Sequence, residues 1–219
     1  MNFTQAEENY LKAIYHLEIE SKESINTNLI AEKLDTKASS VTDMIKRLAQ
    51  KELVNYQKYK GVSLSEKGIK IALSVIRKHR LWECFLVEKL KFSWDEVHDI
   101  AEQLEHINST ELIDRLDEFL DFPKQDPHGD PIPDKNGRID IQNTLTLSNL
   151  DLNKECKVVG VKDSSNVFLK YLEKININLG SIITITNKEE FDKSLILKLQ
   201  NKEISISNEI ANNIFVSNH

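Results

Sequence analysis

Apolar residues in this chain of 219 residues change their spacing once, and that change limits the folds open to it. Up to about residue 122 they recur every three or four positions, which is the period of amphipathic helices. Beyond Thr144 they alternate with polar residues, as in short strands. All four prolines fall between Pro123 and Pro133, and their fixed backbone angles end the helical part. We therefore predict a mainly α chain with a small β domain at 144–219, joined by a linker over 123–143.

The first 64 residues are predicted to form a winged helix-turn-helix domain. Asn26 or Thr27 can cap the second of three short helices, and two strand-like runs then form a hairpin. Two helices joined by a tight turn are the unit that DNA-binding domains place in the major groove, and the hairpin would be the wing. The predicted limits of these elements are 4–20, 27–34, 38–52, 53–59 and 61–65.

Three further helices are predicted before the linker. The first spans 65–90. Ser93 and Glu96 form a capping box that opens a second helix ending at Ile107, and Asn108 and Glu111 repeat that box for a third helix ending near residue 122. Together with the linker from residue 123, these helices make up a second domain, 65–143.

The part of the chain beyond the linker contains five strand-like runs, and only 166–175 has a helical period. Five short strands in about 75 residues fit a small closed or partly closed barrel better than an independent α/β domain. The runs lie at 144–150, 156–162, 181–187, 194–200 and 203–207.

The net charge is -6, yet the two parts of the chain differ in sign. Residues 1–80 carry 14 Lys and Arg against 10 Asp and Glu, whereas the rest carries 15 against 25. Because salt screens charges beyond roughly 8 Å, the acidic part does not prevent the basic part from binding phosphates. A DNA-binding N-terminal domain is therefore compatible with an acidic protein.

Polar and basic side chains lie on and around the predicted third helix, on the side away from its apolar residues. Short hydroxyl groups near a helix N-terminus can contact phosphates and base edges, and lysines and arginines add phosphate contacts. The alternative is an ordinary solvated helix face. The predicted DNA-contacting residues are Thr27, Thr36, Lys37, Ser39, Ser40, Thr42, Asp43, Lys46, Arg47, Lys58 and Lys60.

Helix 93–107 carries a polar stripe well away from its apolar one. His98, Glu102, Glu105 and His106 occupy an arc roughly 100° wide on a helical wheel. Imidazole and carboxylate groups at that spacing can converge on one or two cations. A polar face exposed to solvent explains the same spacing, so this pattern leaves both interpretations open.

His79 and Glu83 interrupt an otherwise apolar stripe on the preceding helix. Burying an unpaired imidazole and carboxylate costs several kcal/mol, so both groups need partners. A shared metal ion satisfies them, and so does a hydrogen bond between the two. Because His and Glu recur at four-residue spacing on both helices, shared metal binding is the interpretation that we favour.

Several functional classes lack supporting motifs. The chain has no HExxH zinc-protease motif, no P-loop and no Ser/His/Asp order, so we predict that it is not an enzyme. Cys84 and Cys156 lie far apart and outside any CxxC spacing, which argues against a disulfide framework or a thiolate zinc site. No run of 18 apolar residues and no signal peptide are present, so we expect a cytoplasmic location without membrane contact.

Five segments of this sequence together resemble the diphtheria toxin repressor family of iron- and manganese-dependent repressors. They are AEENYLKAIYHLE, IAEKLDTKASSVTDMIKRL, RKHRLWE, VHDIAEQLEH and DPHGDPIP. The resemblance covers nearly the whole chain. It implies an N-terminal winged helix, a helical metal-binding and dimerisation domain, and a C-terminal SH3-like barrel on a flexible tether.

The resemblance also implies two metal sites in each subunit. The first would use Glu102, Glu105 and His106, together with Asn9 from the first helix. The second would use His79, Glu83 and His98, with Asp163 as the candidate ligand from the C-terminal domain.

Glu102 favours manganese as the ion, because iron-type members of the family carry Cys at this position and manganese-type members carry Glu. A set of oxygen and imidazole ligands also suits Mn(II) as a hard ion. Two residues depart from the family pattern: Asn9 stands where Met or Asp is usual, and Lys12 stands where some manganese regulators place a carboxylate. Fe(II) therefore remains the alternative.

The function implied by the resemblance is that of a homodimer that represses metal-uptake genes by binding a double-stranded DNA operator. Metal would tether the first helix, through Asn9, to Glu102, Glu105 and His106, and would select the arrangement of winged helices that fits successive major grooves. Two other functions stay open on the residues alone: a winged-helix regulator that senses an organic ligand, and a metal-dependent hydrolase.

Overall fold

A computed structural model describes residues 3–20, 24–57, 61–140, 145–200 and 202–218. The chain falls into two compact units, and each unit is assembled from separate segments. The first unit comprises Met1–His79, Glu102–Asp114 and Pro133–Ile139. The second comprises Arg80–Ala101, Arg115–Ile132 and Asp140–His219.

The first unit contains the predicted winged helix-turn-helix, which is confirmed. Its elements are α1 Gln5–Glu20, α2 Thr27–Lys33, α3 Ala38–Gln50, β1 Val54–Gln57 and β2 Gly61–Leu64. The two strands pair antiparallel with Val54 opposite Leu64, and this hairpin is the wing. Asn26 is the cap of α2, because its side chain accepts hydrogen bonds from the backbone N–H groups of Asn28 and Leu29.

The core of this domain follows from the helical spacing of its apolar residues. Val41, Ile45 and Leu48 on α3 are fully buried, and they pack in one cluster with residues of α1, α2 and the wing. Glu18 on α1 reaches the wing, where its Oε1 accepts a 2.7 Å hydrogen bond from the backbone N–H of Leu64. The core thus leaves the opposite side of α3 exposed.

The middle helices are shorter than the sequence predicted. They are α4 Glu66–Glu88, α5 Val97–Leu104 and α6 Thr110–Phe119. Residues 94–96 form a turn ahead of α5, and Glu105 and His106 lie in the turn that follows it. Ser109, not Asn108, caps α6, since its Oγ accepts from the backbone N–H of Leu112. None of the helices in the described part of the chain combines the length and the apolar character needed to cross a membrane.

The proline-rich stretch, predicted to begin the linker, forms a loop with its own hydrogen bonds. The Oδ1 of Asp126 accepts hydrogen bonds from the backbone N–H groups of His128 and Asp130, at 2.8 and 3.0 Å. This Asx turn closes the DPHGD segment on itself, and the backbone N–H of Ile132 returns to the carbonyl of Lys124. Residues 141–144, where the predicted linker meets the β domain, lie outside the described residues.

The β domain has six antiparallel strands in the order β3-β8-β4-β5-β6-β7. They are β3 Leu145–Thr146, β4 Glu155–Val161, β5 Ile182–Lys188, β6 Leu195–Leu199, β7 Lys202–Ile206 and β8 Ile214–Asn218, with α7 Asn166–Lys174 and α8 Asn208–Asn212 between strands. The prediction missed α8 and β8, and β8 pairs with both β3 and β4. Within the described residues no strand pairing joins β3 to β7, so these two strands are the edges of the sheet.

A contact between two glycines holds the DPHGD loop against β4. The backbone N–H of Val161 donates a 2.7 Å hydrogen bond to the carbonyl of His128. Gly129, at φ +91°, and Gly160 approach so closely that a Cβ on Gly160 would lie 2.8 Å from both Gly129 Cα and the His128 carbonyl oxygen. The position of His128 therefore depends on the absence of a side chain at residue 160.

Replacing Gly160 by alanine should lower the free energy of unfolding by about 1–3 kcal/mol, because the added methyl group overlaps backbone atoms that have no room to move. Urea unfolding followed by circular dichroism measures this change. Lys157→Ala, at an exposed position on the same strand, is the control. Equal unfolding midpoints for the two variants would show that the loop is not held by this contact.

Candidate metal centre and nucleic-acid interface

The exposed side of α3 carries most of the residues predicted to contact DNA. Those that the structure describes as exposed are Thr36, Lys37, Ser39, Ser40, Asp43, Lys46 and Arg47, whereas Thr27 and Thr42 are half-buried. Thr42 donates a hydrogen bond to the carbonyl of Ala38, which leaves its oxygen able to accept one. The predicted wing residues Lys58 and Lys60 lie outside the described residues. A basic, hydroxyl-rich helix face is what phosphate and base contacts require.

The first cluster of ionisable side chains lies within the first unit and consists of Glu8, Lys12, His79, Glu102, Glu105 and His106. Glu105 is its centre and only 1% exposed. The Oε2 of Glu105 lies 2.6 Å from His79 Nδ1 and accepts a 2.7 Å hydrogen bond from Lys12 Nζ. Burial acts to raise the pKa of Glu105, but the hydrogen bond from His79 and the charge of Lys12 outweigh it and lower this pKa below its ordinary value.

The second oxygen of Glu105 is in a different situation. Its Oε1 is buried and has no hydrogen-bond partner among the described residues. His106 Nε2 lies 3.7 Å from this oxygen. Buried carboxylate oxygens are normally paired, so this one has room to accept a further hydrogen bond or a cation. Glu105 and His106, both predicted as ligands, are thus brought together.

Lys12 supplies a positive charge inside this cluster. Its Nζ lies 3.3 Å from Glu102 Oε1 and 3.3 Å from His79 Nδ1, in addition to its hydrogen bond to Glu105. Glu102 is half-exposed, so the cluster opens towards solvent on that side. The ammonium group therefore balances part of the carboxylate charge that a metal ion would otherwise balance.

The first helix reaches the cluster through residues that the sequence analysis did not assign as ligands. Glu8 Oε2 lies 2.5 Å from His106 Nδ1, and both side chains are buried. Asn9, the predicted ligand, is half-buried and makes no side-chain hydrogen bond within the described residues. A signal for Glu8 was present: it lies on the α1 stripe of Leu11 and Tyr15, where a carboxylate needs a partner.

A second cluster lies within the second unit and consists of Glu83, His98, Asp126 and His128. The ligand atoms of Glu83, Asp126 and His128 lie within 4.8 Å of one another, and all three residues are buried. His98, a predicted ligand, is half-exposed with Nδ1 3.5 Å from Glu83 Oε1. The predicted third member, His79, precedes Glu83 by one turn on α4 and contacts Glu105 of the first cluster.

His128 is oriented by its backbone contact. Its Nε2 lies 2.8 Å from the carbonyl oxygen of Trp94, which can only accept, so Nε2 carries a proton and Nδ1 points towards Glu83 Oε2 at 3.8 Å. Burial acts to lower the pKa of His128, but Glu83 and Asp126 raise it to about 9. Burial, with the charge of Glu83, raises the pKa of Asp126 to about 7. Glu83, Asp126 and His128 therefore lie close enough to perturb one another's protonation, as groups in binding sites and in buried ion-pair networks do.

Asp126 and His128 were missed because the proline-rich stretch was interpreted as a linker. Asp163, the predicted ligand from the β domain, is exposed, and its Oδ1 accepts from the backbone N–H of Ser165. It stands two residues beyond Val161, whose N–H donates to the carbonyl of His128. At most about 7 Å of backbone therefore separates Asp163 from the contact that holds the loop.

Three known families match this chain along most of its length. Residues 2–62 match the iron dependent repressor N-terminal DNA binding domain, residues 65–134 match the iron dependent repressor metal binding and dimerisation domain, and residues 145–218 match the FeoA domain.

Relatives and solved structures agree with these matches. The chain is 37% identical over 126 residues to the iron-dependent repressor IdeR of Mycobacterium bovis, which is 58% of this chain and 54% of that protein. The chain thus spans about half the length of this relative. It is 37% identical to the HTH-type transcriptional regulator MntR of Oceanobacillus iheyensis over 123 residues, which is 56% of this chain and 82% of that protein.

A solved structure described as a manganese-dependent transcriptional repressor in complex with manganese matches with a TM-score of 0.79 and 32% identity, and the match covers 97% of this chain and all of that one. The homologues and the fold are those of transcriptional repressors, not of enzymes, as the sequence predicted. Winged helix, ionisable clusters and matches together show that this chain belongs to the diphtheria toxin repressor family of iron- and manganese-dependent repressors.

Proposed function

We propose that this chain is a metal-activated transcription repressor that binds a double-stranded operator as a homodimer. The observation that carries the proposal is the buried Oε1 of Glu105, which has no hydrogen-bond partner among the described residues and lies 3.7 Å from His106 Nε2. A buried carboxylate oxygen of this kind is costly unless a cation balances it. Carboxylate and imidazole are both ligands of Mn(II) and Fe(II), so the residues fit the ion.

In the first site, Glu102, Glu105 and His106 would hold the ion, with Asn9 as a further ligand from α1. When bound, the ion supplies positive charge that α1 and the turn after α5 share. Lys12 competes for the same carboxylates, because its ammonium already donates to Glu105 and contacts Glu102. We therefore propose that this site binds its ion more weakly than it would without Lys12.

In the second site, Glu83, His98 and His128 would hold a second ion with Asp126, and His79 and Asp163 are further candidates. The buried group of Glu83, Asp126 and His128 supports this proposal. Neither set of candidate ligands contains a thiolate, and oxygen with imidazole donors favour a hard ion. We therefore infer two Mn(II) ions per subunit, with Fe(II) as the alternative.

Metal binding at the first site would affect DNA binding through the position of α1. Glu8 and Lys12 contact the first cluster, and Glu7, next to Glu8, pairs with Lys51 directly after α3. Fixing α1 therefore also restrains the end of the helix that carries the predicted DNA contacts. Metal binding would shift the population towards the dimer geometry that fits successive major grooves. We propose that the protein acts in the cytoplasm and that its operators control metal-uptake genes.

Calorimetry should find two Mn(II) ions per subunit, and one fewer in Glu105→Ala and in Glu83→Ala. Each substitution removes a central carboxylate, and the affinity of that site should fall more than about 100-fold, since even outer-shell changes cost 10–100-fold. Glu118→Ala, at an exposed position on α6, is the control. Unchanged stoichiometry in both variants would contradict the proposed sites.

Lys12→Met should raise the Mn(II) affinity of the first site at least about tenfold, because it removes a positive charge 2.7 Å from Glu105 Oε2. Competition with a fluorescent chelator measures this affinity. Lys33→Met, which removes an exposed lysine paired with Glu20, should leave it unchanged. An affinity equal to or weaker than that of the original protein would show that Lys12 does not compete with metal.

With Mn(II), the protein should retard a DNA fragment from upstream of its own gene, and a chelator should abolish the shift. Arg47→Ala should weaken Mn(II)-dependent binding and reduce the slope of log affinity against log salt by about 1, because one phosphate contact is lost. Fluorescence anisotropy at several salt concentrations measures both quantities, and Lys198→Ala on β6 is the control. Metal-independent binding would rule out the switch, and an unchanged slope would exclude Arg47 from the interface.

A further inference from the structure

We infer that Glu8 is a positioning residue of the first metal site: its carboxylate takes the Nδ1 proton of His106 and so directs the Nε2 lone pair of this ring towards Glu105. This inference rests on the proposed function, because it concerns the same site. It assigns to the first helix a role that does not require Asn9 as a ligand.

The contact is short and shielded from water. Glu8 Oε2 lies 2.5 Å from His106 Nδ1, although the two residues are 98 positions apart in the sequence. The side chain of Glu8 is 7% exposed and that of His106 is 6% exposed. The other oxygen of Glu8 lies 3.5 Å from Lys78 Nζ, which is also buried and balances its charge. The carboxylate is thus held in place from two sides.

The proton position follows from this geometry. A carboxylate can only accept hydrogen bonds, so the proton between the two groups belongs to Nδ1. A neutral imidazole has one N–H, so Nε2 then presents a lone pair, and this atom lies 3.7 Å from the unpartnered Oε1 of Glu105. Histidines that bind metal usually donate their other N–H to a carboxylate or a carbonyl, which fixes the tautomer and the ring orientation.

The arrangement also explains how α1 can respond to metal although Asn9 is a neutral amide. The negative charge of Glu8 lies next to Nδ1 of the imidazole, on the side away from Nε2. There it makes Nε2 of His106 a stronger metal ligand without itself occupying a coordination position. Movement of α1 away from the turn after α5 would remove this carboxylate from His106. Metal affinity at the first site and the position of α1 are therefore linked through Glu8.

Two substitutions of Glu8, compared with a control substitution on the same helix, test this role. In Glu8→Ala, Mn(II) affinity at the first site should fall by about 10- to 100-fold. Glu8→Gln should recover part of this loss, since its amide oxygen can still accept the Nδ1 proton. Glu18→Ala is the control, because it removes another partly buried carboxylate of α1, one that accepts a hydrogen bond from Leu64 of the wing and does not contact His106. It should leave the affinity within about twofold of the original.

Nitrogen NMR of the metal-free protein distinguishes the ring nitrogen that carries the proton from the one that presents a lone pair, and so reports the tautomer directly. His106 should carry its proton on Nδ1 in the original protein and in Glu18→Ala, and should shift towards the Nε2 form in Glu8→Ala. An unchanged tautomer in Glu8→Ala would overturn the inference, and so would loss of affinity in Glu8→Gln equal to that in Glu8→Ala, which would make Glu8 a direct ligand. If the original protein binds no Mn(II) or Fe(II), the proposed function fails while the tautomer still tests Glu8.

Discussion

The buried negative charge of Glu105 constrains everything around it in the first unit. A carboxylate that is 1% exposed has lost nearly all of its hydration, and protein groups must replace the water. Lys12 and His79 do this for one oxygen, and the other oxygen remains without a partner among the described residues. The ion pair with Glu105 fixes the side chain of Lys12, and because Lys12 lies on α1, it also restrains that helix. We therefore infer that the candidate site is partly assembled without a metal ion, and that a cation would complete it.

The first helix connects this charge, through neighbouring residues, to the helix that carries the predicted DNA contacts. Glu8 accepts from His106, and Glu7 pairs with Lys51 at the end of α3. Because residues 7 and 8 point about 100° apart on a helix, one turn of α1 contacts both the candidate metal site and Lys51, which directly follows α3. No long chain of contacts is needed between them. A small shift of α1 acts on both at once, so metal binding and DNA binding can be coupled through a single rigid element.

Periodicity alone predicted the winged helix and most strands, because each depends on local spacing that burial then reinforces. The grouping of Glu105 with His106 was also visible as one polar arc. What spacing could not provide is the partner of a residue: Glu8 meets His106 across 98 positions, and β8 acquires its register only by pairing with β3 and β4. Asp126 and His128 were hidden for another reason, since prolines indicate where helices end but not that an Asx turn can fold the same stretch into a buried loop.

The glycine contact between the DPHGD loop and β4 means that the two clusters can form at different times during synthesis. All members of the first cluster have been synthesised once His106 has emerged, whereas His128 acquires its backbone support only after Gly160 and Val161 have been made. Because N-terminal segments fold first during synthesis, the first cluster can form on a nascent chain that still lacks the strand supporting the second. Truncation before β4 would likewise remove the strand that anchors the loop carrying His128, without removing any member of the first cluster.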